Sequence, residues 1–147
     1  MKINLDALLE EWKIDAEIDK SRLDVEASKV PYLHAKYIEL FSHAKLNTRN
    51  AINDCIRMKQ KLIKYYKGLM SREELLENGW TQYQGKNPLK SELNDLVETH
   101  HAYVELETEL HYRKTIEETL ESIMKSIHSR TWDVKNNIEY LKFINGN

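Results

Sequence analysis

Apolar residues recur along this chain at alternating steps of three and four. From Tyr32 to Lys67 the positions Leu33, Tyr37, Leu40, Ala44, Ala51, Cys55, Met58, Leu62 and Tyr65 keep that rhythm, with Asn47 and Thr48 filling the one gap. Such spacing returns to one side of a helix every turn, so it predicts an amphipathic helix with a continuous apolar seam. A second run comprises Leu89, Leu93, Leu96, His100, Tyr103 and Leu110, then Ile116, Leu120, Ile123, Ile127, Val134, Ile138 and Leu141. Neither proline nor glycine interrupts it between Pro88 and Gly146. The expected fold is all-α: a long antiparallel helical hairpin with a short N-terminal helix. At 1.5 Å per residue the first arm alone would span roughly 54 Å, so an elongated shape is expected.

Breakers and caps set the boundaries. Asn4 or Asp6 caps a first short helix whose Leu5, Leu8, Leu9 and Trp12 share a face. Asp19 is the expected start of a second helix, with Leu23, Ala27 and Val30 at helical spacing. Pro31 lacks a backbone donor and disfavours the α conformation at Val30, so a break or a kink is expected there. Gly68 supplies a left-handed stop. Ser71 with Glu74 reads as a capping box for a short helix ending at Asn78 and Gly79. Asn87 and Pro88 read as the cap and first position of the final arm. The chain is thus one helical domain, with an N-terminal helix and linker (1–18), a long basic arm (19–67), an elbow (68–88) and a C-terminal arm (89–145). No internal repeat or low-complexity tract is evident.

Composition narrows the class. A chain of 147 residues is long enough to bury a core without disulfides, and its one cysteine, Cys55, fits a reducing compartment. The segment MKINLDALLEEWKIDAEID has brief apolar runs broken by acids, so neither a signal peptide nor a membrane span is expected. Charge changes the picture more. The formal net charge is −2, yet residues 36–67 hold eight bases and two acids, while the flanking segments are acidic. Such polarisation suits local attraction of an anionic polymer by an otherwise soluble molecule.

The basic charge is densest in RMKQKLIKYYKG, residues 57–68, which holds five cations and no acid. At about 100° per residue, Arg57, Lys61 and Lys64 fall within about 60° of one another, with Lys67 on their flank and Met58, Leu62 and Tyr65 on the other side. Lys45 and Arg49 extend the stripe toward the N-terminus. Cations one turn apart repel unless a polyanion neutralises them, and phosphates do so with steep salt dependence. Tyr66, read at the edge of the seam, is positioned to stack a base. The competing reading is a solvated lysine face on a helical scaffold that only bridges proteins. One stripe offers few phosphate contacts, so useful affinity requires several copies held together.

The C-terminal stretch TWDVKNNIEYLKFI points to such copies. Val134, Ile138 and Leu141 occupy one side of the helix, while Trp132 and Phe143 point nearly opposite, with Tyr140 beside them. A helix apolar on two sides lies deep in a core or bridges subunits, and a two-arm hairpin scarcely has such a core. Subunit bridging in a closed ring is the expectation. Enzymatic chemistry finds no support. There is no glycine-rich phosphate loop and no His-Glu-x-x-His. His100 lies on the seam beside His101 and reads as a packing residue. Cys55 is a seam thiol, and Glu105, Glu107 and Glu109 form a solvated acidic stretch. No cofactor or metal is expected.

Ile18-Asp19, Leu23, the Glu26-Ala27 pair, Lys36 followed by Tyr37, a basic stretch closing in Tyr65, Tyr66 and Gly68, then Ser129, Arg130, Lys135 and Ile138 form one ordered set. In that order and spacing the sequence resembles the UvsY recombination mediator family of T-even-like bacteriophages, from about Ile18 to near the C-terminus. The resemblance implies a ring-like homo-oligomer, a heptamer or hexamer, that binds single-stranded DNA and has no catalytic activity of its own. It implies loading of a RecA-like phage recombinase onto DNA coated by the phage single-strand-binding protein, in recombination-dependent replication and repair. Residence in the host bacterial cytoplasm follows, without membrane association. The family's DNA-binding pair is two cations two residues apart before the double tyrosine. Lys59 and Lys61 have that spacing here, whereas alignment on the tyrosines themselves puts Gln60 and Leu62 in those places. Self-association in the family runs through the C-terminal helices. Residues 70–87 depart from the family pattern, and nothing is carried over onto them.

Overall fold

A computed structural model describes residues 1–146, and among them every regular element is a helix. They are α1 (Leu5–Asp15), α2 (Leu23–Tyr66), α3 (Arg72–Asn78), α4 (Lys90–Thr99) and α5 (His101–Ile144). The contacts form two compact units, Met1–Thr48 with Arg113–Asn147, and Arg49–Tyr112. Helices α2 and α5 each run through both units.

In the first unit, α1 begins at the Asn4 cap, whose side-chain oxygen accepts the Ala7 N–H at 2.9 Å. Leu8 then joins Leu33, Tyr37 and Ala44 of α2 and Ile116, Leu120, Ile123 and Ile127 of α5 in one buried cluster. Within this unit α2 and α5 run antiparallel as the arms of a helical hairpin. Their pairing includes an ion pair that the apolar pattern does not show. Glu26, 1% exposed, meets Arg130, 4% exposed, at 2.7 Å. Arg130 also donates to the backbone oxygens of Ala16 at 3.2 Å and Glu17 at 2.9 Å, tying down the connection between α1 and α2. Ala27, expected in the seam, is exposed, and Glu26 takes the inward position because Arg130 receives its charge.

Two expected boundaries move. Asp19 folds a turn by accepting the Ser21 N–H, and α2 starts at Leu23. Pro31 neither breaks nor ends α2, which runs through it. The ring is exposed, so the lost backbone donor is the main local consequence.

In the second unit, Leu62 and Tyr66 of α2 pack with Leu93 and Val97 of α4, and Met58, Tyr65, Trp80, Tyr83 and Tyr103 surround them. Gly68 and Gly79 adopt φ of 71° and 67°, the left-handed stops after α2 and α3. Ser71 caps α3, its Oγ accepting the Glu74 N–H at 3.1 Å. Helix α4 starts two residues later than expected, with Leu89 rather than Asn87 at its cap and Glu92 accepting the Leu89 N–H at 3.1 Å.

The expected continuous C-terminal arm is interrupted at His100, whose backbone is extended (φ −66°, ψ 133°). Its Nδ1 accepts the Ala102 N–H at 3.1 Å, so the imidazole caps α5 as a Ser or Asn side chain would. Burial, helped by the neighbouring His101, pushes the His100 pKa down. Both effects favour the neutral ring, which keeps the lone pair that this bond uses.

Candidate nucleic-acid interface

The last three turns of α2 carry Arg57, Lys59, Lys61 and Lys64, and Lys67 directly follows the helix, all exposed. Their opposite side is fixed by Leu62 and Tyr66, which sit in the core of the second unit. The stripe thus points outward because the apolar residues between its cations are claimed by α4 and the elbow.

The cations are not equivalent. Arg57 pairs with Asp54 one turn back at 3.2 Å, in the open. Lys64 Nζ donates to both carboxylate oxygens of Glu74, at 2.8 and 2.9 Å. That bond outweighs the small effect of burial and lowers the Glu74 pKa. Lys61 Nζ donates to Asn78 Oδ1 at 3.2 Å. Lys59 and Lys67 have no ion-pair or hydrogen-bond partner for their ammonium groups among the described residues. Two residues apart on a helix means about 160° of rotation, so Lys59 and Lys61 lie on different flanks rather than forming a patch.

Tyr66 requires a correction. Expected at the edge of the seam and free to stack a base, it is only 9% exposed. Its ring is enclosed by Tyr65 at 5.1 Å and Tyr83 at 4.9 Å, both edge-on, and burial pushes its pKa up. Tyr65 and Tyr66 stand three and four residues after Leu62, and both steps suit a seam. The packed helix takes the four-residue step. Tyr65 is half-buried, donates its hydroxyl to the Thr81 carbonyl at 2.7 Å, and lies 5.2 Å from the Trp80 ring. Cys55 is buried and its pKa is raised by that burial, which suits an inert packing thiol.

The C-terminal segment is indeed apolar on two sides, with one reassignment. Val134, expected to face a neighbouring subunit, is 2% exposed and packs inside its own chain. Ile138 is half-buried. Trp132 (64%), Tyr140 (62%), Leu141 (40%) and Phe143 (81%) are exposed in the single chain. Lys135 Nζ sits 5.1 Å from the centre of the Trp132 ring. Among the described residues no cluster of side chains is arranged to hold a metal ion, and no helix is long and apolar enough to cross a membrane.

Residues in and near α3 were invisible as site components in the sequence, because nothing in the spacing of Glu74 or Asn78 announces contact with Lys61 and Lys64. The only usable signal was the Ser71 cap, which locates the helix but not its partner.

The family model for UvsY, described as a recombination, repair and ssDNA binding protein, matches residues 11–147. Crystal structures of the bacteriophage T4 recombination mediator protein UvsY share the fold. The lattice type II form gives a TM-score of 0.83 at 20% identity, covering 99% of this chain and 100% of that one. Lattice type I gives 0.81 at 20% identity over 93% and 98% of the two chains. Lattice type IV gives 0.79 at 20% identity over 96% and 98%. Nothing among the curated protein sequences matches the chain.

Proposed function

The chain belongs to the UvsY family, and from that premise we propose that it is a recombination mediator acting on single-stranded DNA. In this reading it helps seat a RecA-like recombinase on strands covered by a single-strand-binding protein, within the host cytoplasm of a phage infection, and performs no chemistry itself. The observation that carries the proposal is the match of the family model over residues 11–147. The outward basic face at the end of α2 supports it physically.

Binding works through phosphate neutralisation. Arg57, Lys61 and Lys64 share one side of α2, Lys67 flanks them, and Lys59 reaches from the other flank. Each ammonium or guanidinium that meets a phosphate displaces condensed counterions, which gives affinity and makes it fall with salt. One chain holds few such groups, so the reading includes a homo-oligomer, a heptamer or hexamer, that pools them. The exposed Trp132, Tyr140, Leu141 and Phe143 supply apolar surface for self-association, and a closed ring leaves none of it unpaired. Pooled contacts let individually weak sites compete with a coat protein and bend the strand. The acidic flanking segments are left to meet protein partners.

Anisotropy titration of a labelled oligothymidylate at two salt concentrations tests the proposal. Replacing Lys59, Lys61 and Lys64 together by alanine is expected to weaken binding and flatten its salt dependence while the native mass stays unchanged. Unaltered binding would remove the α2 face from the account, whereas absence of binding by the parent at both salt concentrations would favour a scaffold that bridges proteins only.

A further inference from the structure

Helix α3 lies in the second unit outside its hydrophobic cluster, and of its two leucines only Leu75 is half-buried. None of its seven residues is buried, and it supplies no side chain to the cluster around Leu62 and Tyr66. Leu76 is 74% exposed. Its ties to α2 are polar. Glu74 takes two bonds from Lys64 Nζ at 2.8 and 2.9 Å, and Asn78 takes one from Lys61 Nζ at 3.2 Å. The Asn78 amide donates in turn to the Glu74 carbonyl at 2.7 Å, which aims its own oxygen at Lys61. Two cations of the outward stripe are thus already engaged by oxygens that α3 presents. A carboxylate receiving a lysine through both oxygens offers it what a phosphate offers. With Glu73, Glu74 and Glu77 against Arg72, α3 is a short anionic rod laid on a cationic one.

We infer that α3 is a built-in competitor for the DNA backbone, with Glu74 and Asn78 occupying Lys64 and Lys61 until phosphates displace them. This rests on the DNA-binding reading above and adds to it what the strand must remove. Exposed ion pairs are weak, so the displacement is easy. It still has a consequence for salt dependence. When Lys64 exchanges a carboxylate for a phosphate, the cation released from the strand is partly offset by one drawn to the freed Glu74 carboxylate, so the slope falls short of the number of lysines engaged. Affinity is thereby held below what the sequence charge allows.

The full chain titrated with labelled oligothymidylate over a range of salt tests this. Glu74→Gln removes the charge and keeps the backbone N–H that Ser71 caps. Glu73→Gln removes an equal charge from an exposed neighbour that takes no part in these bonds. Glu74→Gln is expected to bind about two- to fivefold tighter at low salt, the range an exposed ion pair can supply. Its log–log salt slope should steepen by at most about 0.7, since no freed carboxylate then takes up a cation. Glu73→Gln should stay near the parent, and the tighter binding should vanish when Lys64→Ala is added. Parent binding with Glu74→Gln no tighter than Glu73→Gln overturns the competitor and leaves the DNA reading standing. Absence of binding by parent and variant alike overturns both.

Discussion

Arg130→Ala is expected to be among the most costly single substitutions in the chain. Arg130 and Glu26 are 4% and 1% exposed and 2.7 Å apart, so truncating the arginine leaves a buried carboxylate behind. Breaking one side of a buried pair costs about 3–5 kcal/mol, because the surviving charge keeps its desolvation penalty without its partner. Two features pull the figure toward the lower end. Lys29 Nζ, partly exposed, also contacts Glu26 at 2.8 Å, and the Ala16 and Glu17 carbonyls that lose Arg130 belong to residues that are not buried. About 3–4 kcal/mol is therefore expected. For a chain of this size that corresponds to a fall in Tm of about 6–16 °C. Urea unfolding followed by circular dichroism, at one fixed protein concentration, measures it. The double replacement Glu26→Met with Arg130→Met should recover most of the loss, since no charge is then stranded. A loss under about 1 kcal/mol for Arg130→Ala, or a double variant no better than the single one, would refute the reasoning.

Asp15 links acidity to stability in the same unit. Burial alone would raise its pKa, but bonds from Lys36 Nζ at 2.6 Å and the Tyr37 hydroxyl at 2.7 Å prevail and hold it below 3.8. A carboxyl depressed in the folded state stabilises above its unfolded value and loses that contribution as pH falls through the folded value. Asp15→Asn should therefore flatten the acid limb of stability against pH below about 4, and an unchanged limb would contradict the assignment. Pro31→Ala restores a backbone donor inside α2 and removes an exposed ring, so thermal unfolding should show a stabilisation of about 1–3 kcal/mol. A loss would mean that the ring packs against something essential.

The residues that made the fold legible are those whose periodicity had one solution. Leu33, Tyr37, Ala44, Leu120 and Ile127 fall where the seam put them because an apolar side chain at helical spacing has only the core to enter. Gly68, Ser71 and Gly79 marked their ends correctly, since left-handed stops and hydroxyl caps depend on local chemistry alone. Depth failed where two steps were equally periodic, as with Tyr65 and Tyr66, and where a charge entered the core. Glu26 looks like surface until Arg130, 104 residues away, is brought to it. The break at His100 was hidden for a related reason: a histidine caps a helix only when its Nδ1 is neutral and aimed, and both conditions come from packing. The cationic stripe was readable from its residues, but its engagement by Glu74 and Asn78 depends on where the elbow lies.

The most direct test of the whole account is the native mass of the purified protein by light scattering, taken with and without oligothymidylate in dilute buffer. A homo-oligomer of defined size that takes up the mass of bound oligonucleotide is the predicted result. A monomer whose mass is unmoved by the oligonucleotide would contradict it.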